Sequence, residues 1–214
     1  MRFLSKILLA GFLLTALSAC IKPEVIPPPT NNVDLNCQFS GFINGTETEY
    51  MQNIKGYNCY SSNLVYGNPS PNLSTVLYTA EISSFQYPQK VKLTFGPQQW
   101  DAGVAITPTL DMFNDFHLVN SGDVLPLKDI EDMPNSSPGV QVEYWDVNGD
   151  KWETSTDDQP GFATITTLKQ ASDNTGDYTI FECVFSVTVF REDPNQGLLS
   201  LTLNNCKFKG WFKR

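Results

Sequence analysis

The sequence lacks the short motifs that mark the common catalytic and metal-binding sites. It has no Gly-x-Ser-x-Gly, no Ser-x-x-Lys, no Cys-x-x-Cys and no glycine-rich phosphate loop after a strand. Its single histidine, His117, lies in a strand-like stretch, where a lone histidine is usually structural. We therefore predict no catalytic residue. A hydrolase remains an alternative, because a pair of catalytic carboxylates forms only in the folded chain.

Positive charge is also scarce in this chain. There are 14 lysine and arginine residues against 23 acidic ones, which gives a formal net charge of −9. Loss of a leader that contains Arg2 and Lys6 would remove two positive charges and bring the net charge to −11. Such a surface repels phosphate backbones, so we expect no nucleic-acid partner. It also gives no attraction to anionic lipid, so attachment to a membrane would require an acyl chain.

The longest apolar run, residues 7–17, is too short to cross a bilayer, which needs about 20 apolar residues in a helix. With Arg2 and Lys6 before it and small residues after it, the run is typical of a signal peptide over residues 1–19. The small residues end in Leu17-Ser18-Ala19-Cys20, which resembles the lipobox of bacterial lipoproteins. The alternative is an ordinary signal peptide followed by a chance cysteine.

The lipobox resemblance implies that Cys20 carries a diacylglyceryl group and that its new amino group is acylated, for example with palmitate. One acyl chain binds a membrane only marginally, whereas two or three anchor a protein stably. Residue 21 is isoleucine rather than aspartate, which by the rule for this family favours the bacterial outer membrane. We therefore expect a lipid-anchored protein that faces the periplasm or the cell surface.

Residues 20–34 form a spacer in which four prolines occur within a few positions. Proline-rich segments are stiff and extended, at about 3 Å per residue, so the twelve residues 21–32 would reach some 35 Å. The remaining residues, 35–214, are enough for one domain with a substantial core. No internal repeat or second linker divides them.

Short runs of β-branched and aromatic residues recur between turn signals along residues 35–214, which predicts strands. A long irregular excursion over 97–132 leaves room for one short strand or helical turn. The spacing predicts an all-β fold, an antiparallel β-sandwich of about 8–10 strands that is Ig-like or jelly-roll-like. The runs cover residues 35–43, 75–82, 90–95, 140–147, 151–156, 162–169, 178–190 and 198–212.

Four cysteines follow Cys20, and an even number in an exported chain predicts disulfides. A turn centred on Pro194-Asn195 would place Cys183 opposite Cys206, which leaves Cys37 to pair with Cys59. A change in the phase of the apolar residues near Asn204-Asn205 indicates a bulge there, which would shift this register by one residue.

The segment 144–152 contains Asn148-Gly149 between two strand-like runs, the strongest short signal for a β-hairpin. A turn centred on that pair places Trp145 opposite Trp152, Asp146 opposite Lys151, and Tyr144 opposite Glu153. The two tryptophans would share a sheet face with Gln141 and Glu143. Two indole rings beside amide and carboxylate groups could bind a sugar; the alternative is that both rings cover the core.

The same segment has partial calcium-loop spacing, with Asp146, Asn148, Asp150 and Asp157 at positions 1, 3, 5 and 12. Lys151 takes the place of the glycine that gives such loops their sharp turn, and the flanks are strands rather than helices. We therefore favour a plain hairpin with no cofactor, and calcium is the alternative.

The lipobox and the stretches 39–45, 144–152 and 205–212 together resemble uncharacterised all-β lipoproteins of Bacteroidota. The resemblance implies an outer-membrane location and a β-sandwich, and it transfers no catalytic residue. We expect a non-catalytic binding or accessory module whose partner is a glycan or an envelope protein. The alternatives are a structural or assembly subunit of the envelope or of a fimbria-like structure, and a hydrolase.

Overall fold

The computed structural model describes residues 32–67, 73–155 and 161–214, which form one compact unit. The predicted signal peptide, Cys20 and most of the predicted tether lie outside the described residues. Within them, no helix is long and apolar enough to cross a membrane. The elements are β1 (Gln38–Ile43), β2 (Thr46–Met51), β3 (Tyr57–Gly67), β4 (Leu73–Ser84), β5 (Lys90–Asp101), α1 (Leu110–Val119), β6 (Val124–Leu125), a 3-10 turn (Met133–Asn135), β7 (Gly139–Trp145), β8 (Lys151–Glu153), β9 (Gly161–Asp173), β10 (Gly176–Asp193) and β11 (Gly197–Lys213).

The predicted all-β class is confirmed, and the strands form one large antiparallel sheet that curls on itself. Its hydrogen-bonded order is β2-β1-β11-β10-β8-β7-β5-β4-β3, with β9 paired to both β10 and β6. The strands belong to a single sheet because β10 is 18 residues long. It pairs with β11 along almost its whole length, with β9 over its first two thirds and with β8 near its end. This one strand therefore connects β8, β9 and β11 in the same sheet.

The core lies inside the curl, where alternate side chains of the strands point. Val91, Leu93 and Phe95 of β5 are fully buried. Phe212 of β11 stacks on Phe181 of β10, with ring centroids 4.1 Å apart, and also contacts Phe95 across the interior. Opposite walls of the sheet therefore meet through aromatic rings.

The excursion 97–132 contains more order than the sequence predicts, because α1 spans ten residues within it. Thr109 begins the helix, since its Oγ1 accepts a hydrogen bond from the Met112 backbone at 3.3 Å. The helix places Phe113 and His117 in the core, where both are buried against Tyr78. The structural role predicted for His117 fits this position.

His117 should make the stability of the domain depend on pH. Burial lowers its pKa to about 4, while its Nδ1 lies 2.8 Å from the Phe113 carbonyl oxygen. Between this pKa and the unfolded value of about 6.5, only the unfolded chain takes up a proton, so stability falls as the pH falls.

We expect the free energy of unfolding to drop by about 2 kcal/mol from about pH 7 to about pH 5 through this residue. A His117→Met variant cannot titrate there and keeps a similar volume, so it should lose that much less over the same interval. Parallel pH profiles in urea denaturation for the two proteins would contradict the assignment.

The Cys37–Cys59 disulfide is confirmed, and it links the start of β1 to β3, with Cα atoms 6.1 Å apart. These two strands lie near opposite ends of the hydrogen-bonded path, so the bond fastens the curl where its edges approach. The 52–56 loop joins β2 to β3 at the same place, and the Gln52 side chain accepts a hydrogen bond from the Cys37 backbone at 3.0 Å.

The predicted Cys183–Cys206 disulfide is wrong, because both residues are buried free thiols. Cys183 lies opposite Phe208, and Cys206 lies opposite Phe185. The turn has three residues between Asp193 and Gly197 rather than two, which moves the register by one. The predicted bulge near Asn204-Asn205 is present and moves it by one more, with Asn205 at a φ of 50°.

Candidate ligand-binding site

The hairpin over 144–152 forms, but its register differs by one residue from the prediction. Trp145 lies opposite Lys151, and Tyr144 lies opposite Trp152. The reason is Asp146, whose Oδ1 accepts hydrogen bonds from the backbone of Asn148 at 2.8 Å and of Asp150 at 3.1 Å. This carboxylate organises a five-residue loop, 146–150, in place of the two-residue turn.

The predicted tryptophan platform is therefore wrong, since a one-residue change of register moves one ring to the other face of the sheet. Trp152 points into the core face, is only 8% exposed, and donates from Nε1 to Asp146 Oδ2 at 3.0 Å. Trp145 lies on the outer face, where the Lys90 ammonium is 3.8 Å from its ring centroid. The two rings do not face a common ligand.

The other predicted members of that platform are buried in a row of charged groups on the outer face. Glu143 pairs with Lys92 at 2.6 Å and with Lys151 at 3.6 Å. Gln141 donates from Nε2 to Glu153 at 3.3 Å. These groups bind one another across neighbouring strands, so the row is a structural feature of the sheet.

The described carboxylates of the candidate calcium loop already accept hydrogen bonds or form ion pairs within the protein. Asp146 holds two backbone N–H groups and the Trp152 indole, and Asp150 forms an ion pair with Arg191. Asp157 lies outside the described residues. Across residues 32–67, 73–155 and 161–214, no group of three or more His, Cys, Asp or Glu side chains is arranged to hold a metal ion.

Three loops come together beside this hairpin, at residues 52–56, 85–89 and 146–150. The Ser84 hydroxyl donates to the Lys55 carbonyl oxygen at 2.7 Å, which joins the first loop to the second. Gly56, with a φ of 73°, lies so close to the Phe85 ring that a Cβ at this position would be 2.8 Å from it. Gly149 of the third loop lies against Pro88.

Beneath these loops lie three tyrosines from three different strands, Tyr50, Tyr57 and Tyr144. The rings of Tyr50 and Tyr57 stack with centroids 4.6 Å apart, and the hydroxyls of Tyr57 and Tyr144 are neighbours of the Tyr50 hydroxyl. Burial raises the pKa of Tyr57 to about 12, and burial with the neighbouring phenols raises the pKa of Tyr50 further. All three therefore stay neutral and can donate or accept a hydrogen bond.

A cavity of about 170 Å³ opens between Tyr50, Tyr57 and the first two of these loops. We call it the tyrosine pocket; its lining residues are Glu49, Tyr50, Lys55, Tyr57, Tyr87 and Gln89. The Oε1 atom of Gln89 is buried and has no hydrogen-bond partner among the described residues. Around the mouth, Ile54 and Tyr87 are exposed, and Phe85 is 81% exposed. The pocket thus combines aromatic faces with neutral hydroxyls.

Larger depressions elsewhere offer less for recognition. A cleft of about 480 Å³ beside β8 contains Lys151 and Arg191, but both cations already pair with carboxylates. A groove of about 460 Å³ along α1 is lined largely by apolar side chains such as Met112 and Phe116.

No family model, curated protein or solved structure matches the chain. The tyrosine pocket is therefore assigned from its own geometry.

Sequence reasoning missed this pocket, because its residues come from segments that carry little β pattern. Tyr50 and Tyr57 flank the loop Asn53-Ile54-Lys55-Gly56, and Tyr87 precedes Pro88. A tyrosine on each side of a glycine-containing loop was the available signal. It cannot show that β7 brings Tyr144 to the same place.

Proposed function

We propose that this protein is a lipid-anchored, non-catalytic binding module whose ligand is a glycan held in the tyrosine pocket. The anchor is supported by the lipobox that ends in Cys20. The binding role is supported by one observation above the others, a small open cavity lined by the rings of Tyr50, Tyr57 and Tyr87. His117, the one histidine of the chain, is sealed in the core and cannot reach a substrate.

The chemistry of the pocket suits a sugar better than an ion or a long apolar chain. The apolar face of a sugar ring can pack on an aromatic ring, while its hydroxyls exchange hydrogen bonds with phenol and amide groups. Lys55 and Glu49 add one charge of each sign at the edge, so the pocket does not select for a strongly charged ligand. Its volume limits the ligand inside to a group of about the size of one sugar ring.

A glycan array tests this role with the chain from residue 20, carrying Cys20→Ser so that it stays free of lipid. Tyr87→Ala removes an exposed ring from the mouth of the pocket and should weaken binding about tenfold, because an aromatic contact of this kind contributes about 1 kcal/mol or more. Tyr66→Ala is the matched control, since Tyr66 is an exposed tyrosine of β3 that does not line the pocket.

Retention of glycan binding in Tyr66→Ala together with its loss in Tyr87→Ala supports the proposal. A wild-type protein that binds no glycan, or equal losses in both variants, contradicts it. A protein captured through the same loops in place of a glycan would also contradict the sugar assignment.

A second candidate function, an assembly subunit, is favoured by strand β3. Among the described strands, this eleven-residue strand pairs in the ladder with β4 alone. The Lys213 backbone of β11 donates to the Ser61 hydroxyl at 3.0 Å, and beyond Ser61 the other side of β3 is an open edge. Val65 and Tyr66 are exposed there. Such an edge can accept a strand from another chain. A photo-crosslinker at Val65 that yields only monomer in intact cells would remove this candidate.

A further inference from the structure

Residues 102–107 form a loop without any charged side chain, and it presents two apolar residues to solvent. Val104 is 83% exposed and Ile106 is 93% exposed. Exposed apolar side chains are common one at a time, but two on the same uncharged loop mark a contact surface when the loop is held in place.

The exposure of these two side chains does not come from a loose loop. The Gly103 backbone donates to Asp101 Oδ1 at 2.7 Å, and the Val104 and Ala105 backbones donate to the Asp101 carbonyl oxygen at 3.1 Å. The buried Trp100 donates from its indole nitrogen to the Ala105 carbonyl oxygen at 3.0 Å. These contacts fix the backbone of residues 103–105, so the two side chains are presented by an ordered loop.

A short series of contacts connects this loop to the point where the tether enters the domain. The Val33 backbone donates to Asp173 Oδ2 at 2.9 Å, which fixes the start of the domain at the β9–β10 turn. Arg214 donates to Asp177 beside that turn at 2.7 Å, and it donates to the Pro108 carbonyl oxygen at 3.1 Å. The loop and the start of the domain at Val33 therefore share one side of the domain.

We propose that the 102–107 loop rests on the lipid surface to which Cys20 is anchored and inserts Val104 and Ile106 among the lipids. This inference depends on the lipid anchor of the proposed function. The tether from residue 20 to residue 32 reaches about 35–40 Å when extended, so it allows the loop to touch the bilayer without strain. The loop adds no charge that would oppose this contact in an acidic protein, and each apolar side chain that leaves water favours it.

The occupant is a lipid surface rather than another protein because the anchor itself keeps that surface within reach. At such short range the loop needs little affinity of its own, since the tether makes the contact an event within one molecule. The contact would fix which side of the domain faces the membrane, whereas a tether alone would leave it free to turn.

The test uses the acylated full-length product, purified from membranes and placed in phosphatidylcholine vesicles. An environment-sensitive fluorophore is attached at Ile106→Cys, and in a matched protein at Leu198→Cys. Leu198 is also well exposed, at 68%, but it lies at the opposite end of the 17-residue strand β11 from Arg214. At about 3.3 Å per residue, the control lies up to about 50 Å along this strand from Arg214.

We expect the probe at position 106 to show a blue-shifted emission and a loss of intensity with spin-labelled lipid, and the probe at position 198 to show neither. Flotation with the vesicles but no quenching at 106 overturns the loop contact and leaves the anchor intact. Equal quenching at both positions also overturns it. Failure of the purified wild-type protein to float with the vesicles overturns the anchor and the loop contact together.

Discussion

Replacing Phe212 with alanine should lower the free energy of unfolding by about 4 kcal/mol, the largest effect we expect from one substitution. Its ring is fully buried and stacks on Phe181, and it also contacts Tyr78 and His117. The ring therefore joins β11, β10, β4 and α1 in one cluster. Removing it leaves a cavity that rigid strands on several sides cannot fill by moving inward.

Urea denaturation measures this loss, with Phe85→Ala as the matched control. The same atoms are removed at position 85, but that ring is exposed on a loop, so a change within about 0.5 kcal/mol is expected. Domains of this kind have a total stability of about 5–15 kcal/mol, so Phe212→Ala should leave a marginal fold. Equal urea midpoints for the two variants would contradict the central position of Phe212 in the core.

Removing the disulfide with Cys37→Ser and Cys59→Ser should cost about 3.5 kcal/mol. The bond closes a loop between residues 22 positions apart, and its loss gives that freedom back to the unfolded chain. The wild-type protein should lose a similar amount when a reductant is added, whereas the double variant should not respond. A Cys183→Ala variant should still respond, because Cys183 is a free thiol.

Alkylation of the unfolded, unreduced protein checks the same pairing without a stability measurement. In the chain with Cys20→Ser, only Cys183 and Cys206 should be modified. Modification of Cys37 or Cys59, or of no cysteine at all, would contradict the pairing in the structure.

The strands that line the core could be predicted from the sequence, because burial imposes an apolar pattern on them. Each of the eight predicted runs overlaps a strand. The two edge strands were missed for the opposite reason, since β2 carries Glu47 and Glu49, and β3 is rich in serine and asparagine. Edge strands face solvent and need no apolar alternation, so their sequences resemble those of loops.

Both predicted hairpin registers differ from the structure through the same local chemistry. Asp146 and Asp193 each stand just before a turn, and each side chain accepts hydrogen bonds from two backbone groups inside the loop. An aspartate in this position enlarges the loop and moves its centre by half a residue or more. The tryptophan platform was lost through this shift, and so was the Cys183–Cys206 pair, together with the bulge.

The tyrosine pocket could not be predicted, because no segment of the sequence contains it. Its residues Tyr50, Tyr57 and Tyr87 come from β2, β3 and the loop after β4, and only the curl of the sheet brings these segments together. The free oxygen of Gln89 is likewise a property of the folded chain. By contrast, the segment that resembles a lipobox consists of neighbouring residues, so the sequence alone can predict it. It lies outside the described residues.

Metabolic labelling with radioactive palmitate tests most directly whether this domain is held at a membrane through Cys20. We predict that growing cells label the wild-type chain and leave Cys20→Ser unlabelled, and that globomycin makes a larger precursor accumulate because the first 19 residues stay attached. A wild-type chain that takes up no palmitate, or whose size is unchanged by globomycin, would contradict the anchor and with it the proposed arrangement at the membrane.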